Sequence, residues 1–318
     1  MFKKKAIELV KNRRSFSVFQ KILHKSVKNK FEKDSYLLPL TEKSFSLYSR
    51  IHTYYFLKFF EFPNIVKPHS FNEKMQWLKL FDQDDLKIKC SDKLAVKEFV
   101  NSSTSSARVA RTDRIFGKAI DAEDLNPELV YKTNHDCGTV HILLNSKFDS
   151  KEVCRSLNYS VKKIYSDITG EWAYKYIESS IFSEELIPYV GASISDYKFY
   201  CIRGEPKFCH FICDRNYHPK ELVLDLEGKD MGIPIYPAFT YGAPFQMPEC
   251  WKKALDIVAD ISRPFQFVRV DVYIVEGNVY VGELTFWPQA GTYRGEGQKK
   301  IGQMIDLSGV VPREPCYQ

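Results

Sequence analysis

The sequence predicts an α+β protein, with a helical N-terminal part followed by a strand-rich remainder. Two observations support this fold class. Helix signals dominate roughly the first hundred residues, and short strand-like pieces separated by polar loops begin near residue 128. The chain has 318 residues, of which 44% are hydrophobic and 14% aromatic. That length suits two or three sub-domains that share an interface.

Residues 1–34 are predicted to form a basic helix or a pair of helices. Residues 1–30 hold ten lysines and arginines against a single acid, Glu8. The side chains that could form one apolar face are Phe16, Val18, Phe19, Ile22 and Leu23. The segment fits either a solvated helix packed on the body or a helix that docks through residues 1–30 on an anionic membrane surface.

Three further helix signals follow. The aromatic-rich stretch at 41–62 is predicted to be helical and ends before Pro63. Ser70 and Glu73 have the S-x-x-E spacing of a capping box and precede an apolar stripe. Another short helix is predicted from about Ser91, and the polar run NSSTSS at 101–106 marks an edge between sub-domains.

The second half alternates strand-like and helical pieces. Helices are predicted at 150–166 and 248–262. The predicted strands are LVYK (129–132), TVHILL (139–144), KFYCI (198–202), KFCHFIC (207–213), ELVLDL (221–226) and a hairpin at 267–288.

Composition excludes several classes of protein. The net charge of +6 is concentrated in residues 1–30, so a body that coats nucleic acid is not indicated. The eight cysteines form no CxxC pair, which argues against a zinc ribbon, and they are expected to be reduced thiols. No apolar run has the length of a signal h-region or a membrane span. We therefore expect a cytoplasmic protein, with the inner face of the cytoplasmic membrane as a peripheral site.

The hairpin carries two acids inside apolar strands. If pairing is symmetric about Gly277, Asp271 lies opposite Glu283 and Arg269 lies opposite Thr285. The same register places Tyr273 opposite Val281. Like charges directly opposed across a ladder destabilise it unless something offsets them.

Two groups could offset this repulsion. A divalent metal such as Mg²⁺ takes one or two carboxylates and completes its shell with water and phosphate oxygens. Alternatively, Arg269 neutralises one acid in a local salt-bridge cluster and the other acid is protonated or solvated. Hairpin geometry alone leaves the two alternatives open.

Basic side chains recur near other predicted strand ends. Lys132 precedes a polar loop with Gly138, where backbone N–H groups could meet phosphates, although the chain has no Walker A motif. Lys198, Arg215 and Arg269 together suit phosphoryl transfer, which depends on cation clamps and Mg²⁺. No arrangement favours a Ser-His-Asp triad. His135, His210 and His218 are too dispersed for a zinc site.

The chain resembles the TupA-like ATP-grasp proteins of bacterial surface-polysaccharide and teichuronopeptide gene clusters, from about Phe71 to Leu307. The motifs that carry the resemblance are SFNEKMQWLKLFDQD (70–84), DKLAVKEFV (92–100), VYKTNHDCGTV (130–140), EWAYKYI (171–177), DYKFYCIRGEPKF (196–208) and FVRVDVYIVEGNVYVGELTFWPQAG (267–291). It implies an ATP-grasp fold, in which two α+β sub-domains clasp a nucleotide, with a helical N-terminal extension. The implied divisions are 1–65, 66–126 (helical, before the ATP-grasp part), 127–187 and 188–318 (the two ATP-grasp sub-domains).

The resemblance also implies residue roles. Nucleotide contacts are expected from two phosphate lysines, from the loop over the phosphates, from the adenine hinge and from a strand lysine: Lys93, Lys132, His135, Gly138, Thr139, Glu184, Glu185, Ile187 and Lys198. Lys198, Arg215 and Arg269 are expected to act on the moving phosphoryl group. Asp271, Glu283 and Thr285 are expected to hold Mg²⁺ or Mn²⁺, so the resemblance favours the metal.

The implied activity is ADP-forming ligation of a carboxylate to an amine. The expected partners are ATP, a carboxylate-bearing glycan or nucleotide- or lipid-linked sugar, and an amino acid or small amine. His218 and Asp214 are candidate bases for the amine. Two alternatives stay open, namely a glycan kinase on the same fold and a non-catalytic glycan-binding or assembly partner.

Overall fold

A computed structural model describes residues 13–143, 148–164, 166–187, 194–215 and 218–317. Its helices are α1 (Arg13–Ser35), α2 (Phe45–Phe59), α3 (Phe71–Phe81), α4 (Asp85–Ser91), α5 (Ala95–Ser103), α6 (Ser150–Ser160), α7 (Ser166–Thr169), α8 (Trp251–Ser262) and α9 (Gly297–Met304). Its strands are β1 (Thr112–Gly117), β2 (Leu129–Thr133), β3 (Val140–Ile142), β4 (Ile181–Glu185), β5 (Asp196–Ile202), β6 (Glu205–Cys213), β7 (Lys220–Leu224), β8 (Thr240–Tyr241), β9 (Val268–Val275) and β10 (Asn278–Thr285). The predicted α+β class is confirmed.

The N-terminal helix α1 packs on α2 through a face that differs from the predicted one. Phe16, Val27 and Phe31 are buried. Val18 and Ile22, predicted to share that face, are instead 56% and 67% exposed. Residues 1–12, part of the predicted basic segment, lie outside the described residues. Within the described ranges, no helix combines the length and apolarity needed to cross a bilayer.

Helix α3 begins with the predicted capping box. The Ser70 hydroxyl accepts the N–H of Glu73, and the Glu73 carboxylate accepts the N–H of Ser70. Among its mostly apolar buried residues, the helix also buries three polar side chains, since Asn72, Gln76 and Lys79 are all at most 1% exposed. These side chains hydrogen-bond the segment that follows β10 and thereby fasten α3 to the end of that strand.

That segment is a left-handed turn. Gln289, Ala290 and Gly291 have φ values of 51°, 53° and 64°. Residues other than glycine rarely adopt this region. Gln76 Nε2 donates to the carbonyls of Ala290 and Gly291, and Lys79 Nζ donates to the Ala290 carbonyl at 2.9 Å. A Cβ at Gly291 would lie 2.4 Å from Gln76 Nε2. Only glycine therefore fits the last position of the turn.

The first sheet has four antiparallel-paired strands in the order β1-β4-β2-β3. Helix α6 covers it through Val153 and Leu157, which pack with Tyr131 and Ile181. Strands β2 and β3 were predicted. Strands β1 and β4 were missed, and β1 lies in the region predicted to be helical before residue 127. The domain limits stay a prediction.

The second sheet has six strands in the order β10-β9-β5-β6-β7-β8. Alternation along β5 sends Tyr197 and Phe199 to one face, where they meet Trp251 of α8. Lys198 and Tyr200 point to the opposite face. That opposite face carries the polar residues of the site.

The β9–β10 hairpin has the predicted register at its polar end and a different one near its turn. Glu283 pairs with Asp271 and Thr285 with Arg269, as predicted. Tyr273, however, pairs with Tyr280 rather than Val281, because a bulge shifts the register between Val281 and Glu283. Gly282 lies in this bulge, and a Cβ there would come within 2.8 Å of the Tyr273 ring. The extra residue absorbs the shift and keeps the two acids opposed.

Candidate active site

A row of charged side chains crosses the open face of the six-stranded sheet. Lys198 on β5 pairs with Asp271 on β9, which pairs with Glu283 on β10. The Lys198 ammonium donates to Asp271 Oδ2 and lies 3.3 Å from Asp196 Oδ1. Strand register thus places a cation between two carboxylates and a third carboxylate beside them.

Arg269 hydrogen-bonds both acids of the hairpin. Its Nε and one terminal nitrogen donate to the two oxygens of Asp271 at 2.6 and 2.7 Å. The same terminal nitrogen donates to Glu283 Oε1 at 3.1 Å and to Thr285 Oγ1 at 3.0 Å. The salt-bridge cluster considered from the hairpin alone is therefore present, and Arg269 neutralises one of its acids.

Charge compensation at this cluster is reflected in shifted pKa values. Burial would raise the pKa of Asp271, but Arg269 and Lys198 outweigh burial and hold it below its ordinary value. Burial would lower the pKa of Lys198, yet Asp271 and Asp196 raise it. Both groups are therefore charged near neutral pH.

Asp271 and Glu283 differ in how many carboxylate lone pairs remain for a metal ion. Asp271 is 2% exposed and accepts three charged hydrogen bonds. The Glu283 side chain is 40% exposed, and within the described ranges only its Oε1 accepts hydrogen bonds, from Arg269 and Thr285. Since a carboxylate has about four lone-pair sites, Glu283 Oε2 and one site on Asp271 are left. This donor set fits Mg²⁺ with water and phosphate oxygens.

No larger metal cluster accompanies them: across the described ranges, no group of three or more His, Cys, Asp or Glu side chains is arranged to hold a metal ion.

A cavity of about 420 Å³ lies between this face and the four-stranded sheet. Its apolar lining includes Val130, Val140, Ile142, Leu186, Ile187 and Ile194. Its polar lining is Lys132, Glu184, Glu185, Asp196, Arg215 and Tyr273. An apolar slot that has cations at one side suits a flat base with attached phosphates.

Glu184 forms ion pairs with two lysines, one of which, Lys132, lines the cavity. Its carboxylate accepts from Lys132 and, at 2.7 Å, from Lys97. Burial would raise the pKa of Glu184, but the two ammonium groups lower it below its ordinary value. The predicted hinge residue is thus an ion-pair partner through its side chain, and Glu185 at the end of β4 and Ile187 beyond it line the cavity.

Other predicted nucleotide residues serve local structure. The Lys93 ammonium donates to the carbonyls of Thr133 and Asp136. His135 is 2% exposed and its Nε2 lies 3.0 Å from the Lys163 carbonyl. Thr139 bonds Asp136 and Ser160. None of these lines the 420 Å³ cavity, and Gly138, with φ of 97°, is exposed at the tip of this loop.

Arg215 and Asp196 close the open end of the row. Arg215 donates to both oxygens of Asp196 at 3.2 Å, and its side chain is 56% exposed. Burial would lower the pKa of Arg215, but Asp196 raises it. The predicted residues Lys198, Arg215, Arg269 and Asp271 are therefore linked through shared carboxylates.

Several site residues escaped sequence reasoning. Lys97 lies one helical turn after Lys93, and that i,i+4 spacing was the available signal. Asp196 had no signal beyond its place two residues before Lys198. Of the candidate bases, Asp214 pairs with Lys220 at 3.1 Å, and His218 is exposed beyond the undescribed residues 216–217.

Comparison with known proteins gives the family. The sequence model of the family described as TupA-like ATPgrasp matches residues 73–305, most of the chain. The chain belongs to the TupA-like ATP-grasp family. Its fold is therefore the ATP-grasp fold. The matched range contains α4–α9, all ten strands and most of α3, whereas α1 and α2 lie outside it.

Solved ATP-grasp structures resemble this TupA-like protein at low identity, and no curated protein sequence matches it. D-alanine–D-alanine ligase from Helicobacter pylori is 12% identical over 74% of this chain and 68% of the other, with a TM-score of 0.44. The Bacillus anthracis ligase with ATP is 15% identical over 62% and 54%, with a TM-score of 0.36. The ligase PsnB with a precursor variant, Mg and ADP is 10% identical over 70% and 55%, with a TM-score of 0.35. The chain thus spans little more than half the length of the last two.

Proposed function

We propose that this protein is an ATP-dependent, ADP-forming carboxylate–amine ligase. One observation carries the proposal: the buried row of Lys198, Arg269 and Asp271 adjoins, through Asp196, a cavity of about 420 Å³ that Lys132 and Arg215 line. Cations fixed by carboxylates next to a base-sized slot suit phosphoryl transfer from a nucleotide, where catalysis is mainly positioning and charge stabilisation.

The reaction has two steps. The substrate carboxylate attacks the γ-phosphate of ATP and gives an acyl phosphate and ADP. An amine then attacks the acyl carbon, the C–O bond to phosphate breaks, and an amide and phosphate result. Lys132, Lys198, Arg215 and Arg269 disperse negative charge on the transferring group. Because Lys198 and Arg269 are already oriented by Asp271, they need no reorganisation when that charge develops.

The metal would be held by the hairpin acids. Asp271 and Glu283, with Thr285 beside them, would hold Mg²⁺ or Mn²⁺ through Glu283 Oε2 and the remaining site on Asp271. A bound Mg²⁺ supplies positive charge to the nucleotide phosphates.

The substrate classes follow from the family rather than from the cleft. We propose that the carboxylate belongs to a uronic acid or another acidic group of a bacterial surface polysaccharide, carried on a nucleotide- or lipid-linked sugar. The amine is an amino acid or small amine. The ligation reaction would take place in the cytoplasm, at the membrane where lipid-linked sugars are found.

The exposed side of α1 supports contact with such a membrane. Arg14, Lys21, Lys25 and Lys28 are exposed there together with Val18 and Ile22. Basic residues near an anionic surface each contribute about 1 kcal/mol. We expect the protein to float with anionic but not with zwitterionic liposomes, and to lose flotation after removal of residues 1–30. Equal flotation of the shortened chain would contradict this contact.

The decisive experiment for the ligase measures ADP release from ATP with a panel of uronic acids and a panel of amines, with mass detection of the product. Ligation predicts ADP release and an amide mass only when both substrates are present. ADP release without an amine, with a phosphorylated sugar as the product, identifies a kinase instead. No ADP with any acceptor, and no effect of Asp271→Asn on the biological output, identifies a non-catalytic partner.

A further inference from the structure

A buried histidine–glutamate pair continues the charged row beyond Lys198. His210 on β6 is the cross-strand partner of Lys198 and is fully buried. Its Nε2 lies 2.7 Å from Oε2 of Glu221 on β7, which is also fully buried. Neighbouring strands are about 4.8 Å apart, so the imidazole is one strand from Lys198 and two strands from Asp271.

The hydrogen bonds of Glu221 fix the tautomer of His210. Glu221 Oε1 accepts the N–H groups of Ile235 and Tyr236 at 2.9 and 3.0 Å, and Oε2 accepts the Tyr236 N–H at 3.2 Å. A carboxylate that accepts this many donors acts as an anion, so the bond to Nε2 is donated by the imidazole. Nδ1 of His210 therefore carries the lone pair.

That lone pair has no hydrogen-bond donor among the described residues. Buried polar atoms in native proteins are nearly always satisfied, and the explanations for an exception are local strain, a catalytic or redox role, or a bound water or ion. The groups that act on His210 are Glu221, Lys198 and Arg269, with the ring of Tyr236 packed 5.2 Å away between centroids. Burial lowers the pKa of His210 and Glu221 opposes that effect, so the ring is neutral at pH 7 and able to accept a proton.

We propose that His210, oriented by Glu221, is the base that takes a proton from the incoming amine of the ligation reaction. This inference rests on the proposed ligase function. It places the amine over β6, beyond Lys198, and it requires the half-buried ring of Tyr236 to turn aside as the amine enters. Neither His218 nor Asp214 has a comparable partner within the described ranges.

The proton balance is simple. The substrate ammonium loses one proton to Nδ1 of His210, and its freed lone pair forms the bond to the acyl carbon. The C–O bond to phosphate then breaks, and the second proton lost from the amine nitrogen leaves on the phosphate. The imidazolium, stabilised by the Glu221 anion, returns its proton to solvent.

The test compares two nucleophiles on one enzyme. Hydroxylamine is uncharged at neutral pH and captures an acyl phosphate as a hydroxamate without a base. An amino acid is an ammonium ion and needs one. The full-length His210→Gln variant should form amide about 10²- to 10⁴-fold more slowly than the wild type, the usual contribution of general base catalysis, while hydroxamate formation with the same uronic acid is unchanged.

Two more variants sharpen the test. His141→Gln changes a half-buried histidine of β3 that bonds Ser156 at 3.0 Å, and it should leave both products unchanged. Glu221→Gln keeps the imidazole but removes the anion, so it should reduce amide formation more than hydroxamate formation. This second variant serves as the test if His210→Gln does not fold.

The outcomes separate the two proposals. Equal loss of amide and hydroxamate, or no loss of either, overturns the role of His210. The pH profile adds an independent readout, because the amide rate of the wild type should level off above the His210 pKa whereas that of His210→Gln should keep rising with the free-amine fraction. A wild-type enzyme that makes neither product with any carboxylate overturns the ligase function itself, and the role of His210 with it.

Discussion

The two sheets that border the cleft hold their charges in different ways. On the six-stranded sheet, Lys198, Arg269 and Asp271 are at most 6% exposed and are bonded to one another. On the four-stranded sheet, Lys132 keeps a quarter of its side chain exposed, and the apolar residues Val140 and Ile142 are 43% and 46% exposed. The charged side chains of the six-stranded sheet are already bonded to one another without a substrate. The four-stranded sheet instead presents apolar surface that a ligand would cover.

Under the proposed ligase function, this difference would give the two walls separate tasks. Charges already oriented in a dry environment stabilise a developing charge most effectively, which suits the six-stranded sheet for chemistry. Exposed apolar side chains gain about 25 cal/mol per Å² when a ligand covers them, which suits the four-stranded sheet for binding the base. Substitutions on the first wall should therefore affect stability and turnover together, and substitutions on the second should chiefly affect affinity.

The largest expected effect is that of Asp271→Asn. The variant leaves Lys198 and Arg269 buried without their shared anion, and breaking a buried pair in this way costs about 3–5 kcal/mol. Denaturant unfolding measures the free energy of unfolding. The matched control is Glu283→Gln on the same ladder, whose side chain is 40% exposed, and which should lose less than about 1 kcal/mol. Equal losses of unfolding free energy in the two variants would contradict the distinction between buried, ion-paired Asp271 and partly exposed Glu283.

A smaller effect is expected on the other wall. Glu184→Gln leaves Lys97 and Lys132 close together without their common carboxylate, but both ammonium groups retain some exposure. We expect a loss of about 1.5–3 kcal/mol, the usual worth of hydrogen bonds to charged groups. A loss as large as that of Asp271→Asn, in the same denaturant assay, would show that the two walls are equally pre-formed.

Acidification should weaken the six-stranded wall. The pKa of Asp271 is lower in the folded protein than in the unfolded chain, so its stabilisation is complete above about pH 4 and disappears as pH falls through the folded value. The stability gap between wild type and Asp271→Asn should therefore narrow below about pH 4. Thermal unfolding from pH 6 to pH 3 measures this gap, and a constant gap would mean that Asp271 does not titrate differently in the two states.

The smallest effect is expected for an exposed ion pair at the end of β4. Glu185 pairs with Arg111 at 3.4 Å, and their side chains are 43% and 79% exposed. Exposed pairs of this kind contribute about 0–1 kcal/mol, so Glu185→Gln should barely shift the midpoint of thermal unfolding. A marked shift of the unfolding midpoint would indicate that this ion pair stabilises the protein more than its exposure implies.

The predicted pairing of the two hairpin acids is confirmed, although the register predicted near the turn is wrong. Glu276 and Gly277 form a two-residue turn with φ values of 48° and 72°, and the register that this turn sets would by itself place Asp271 opposite Gly282. The bulge shifts the register by one residue and brings Glu283 opposite Asp271. The bulge at Gly282 was missed, because a lone glycine in a strand does not say whether it marks a bulge or a close contact.

Contacts between distant parts of the chain limited the prediction of the rest of the fold and site. β1 and β4 pair with each other across about 70 residues of chain (Thr112 with Glu184), and neither strand alternates cleanly enough to be recognised locally. The predicted apolar face of α1 is right for Phe16, Phe19 and Leu23, which pack on the core. It wrongly included Val18 and Ile22 and stopped short of Val27 and Phe31. The ion pairs of Glu184 depend on tertiary contacts that no spacing in the sequence encodes.

The left-handed turn after β10 has a consequence for how this sequence can evolve. Ala290 holds a conformation that costs an alanine about 1–2 kcal/mol, and the donors that stabilise it come from α3, more than two hundred positions earlier in the chain. Gln76, Lys79 and Gly291 should therefore vary as a group among relatives, because a drift at one position relaxes the geometry that the others require. Such covariation in the sequences of relatives would report a contact between the start and the end of the region that the family model matches.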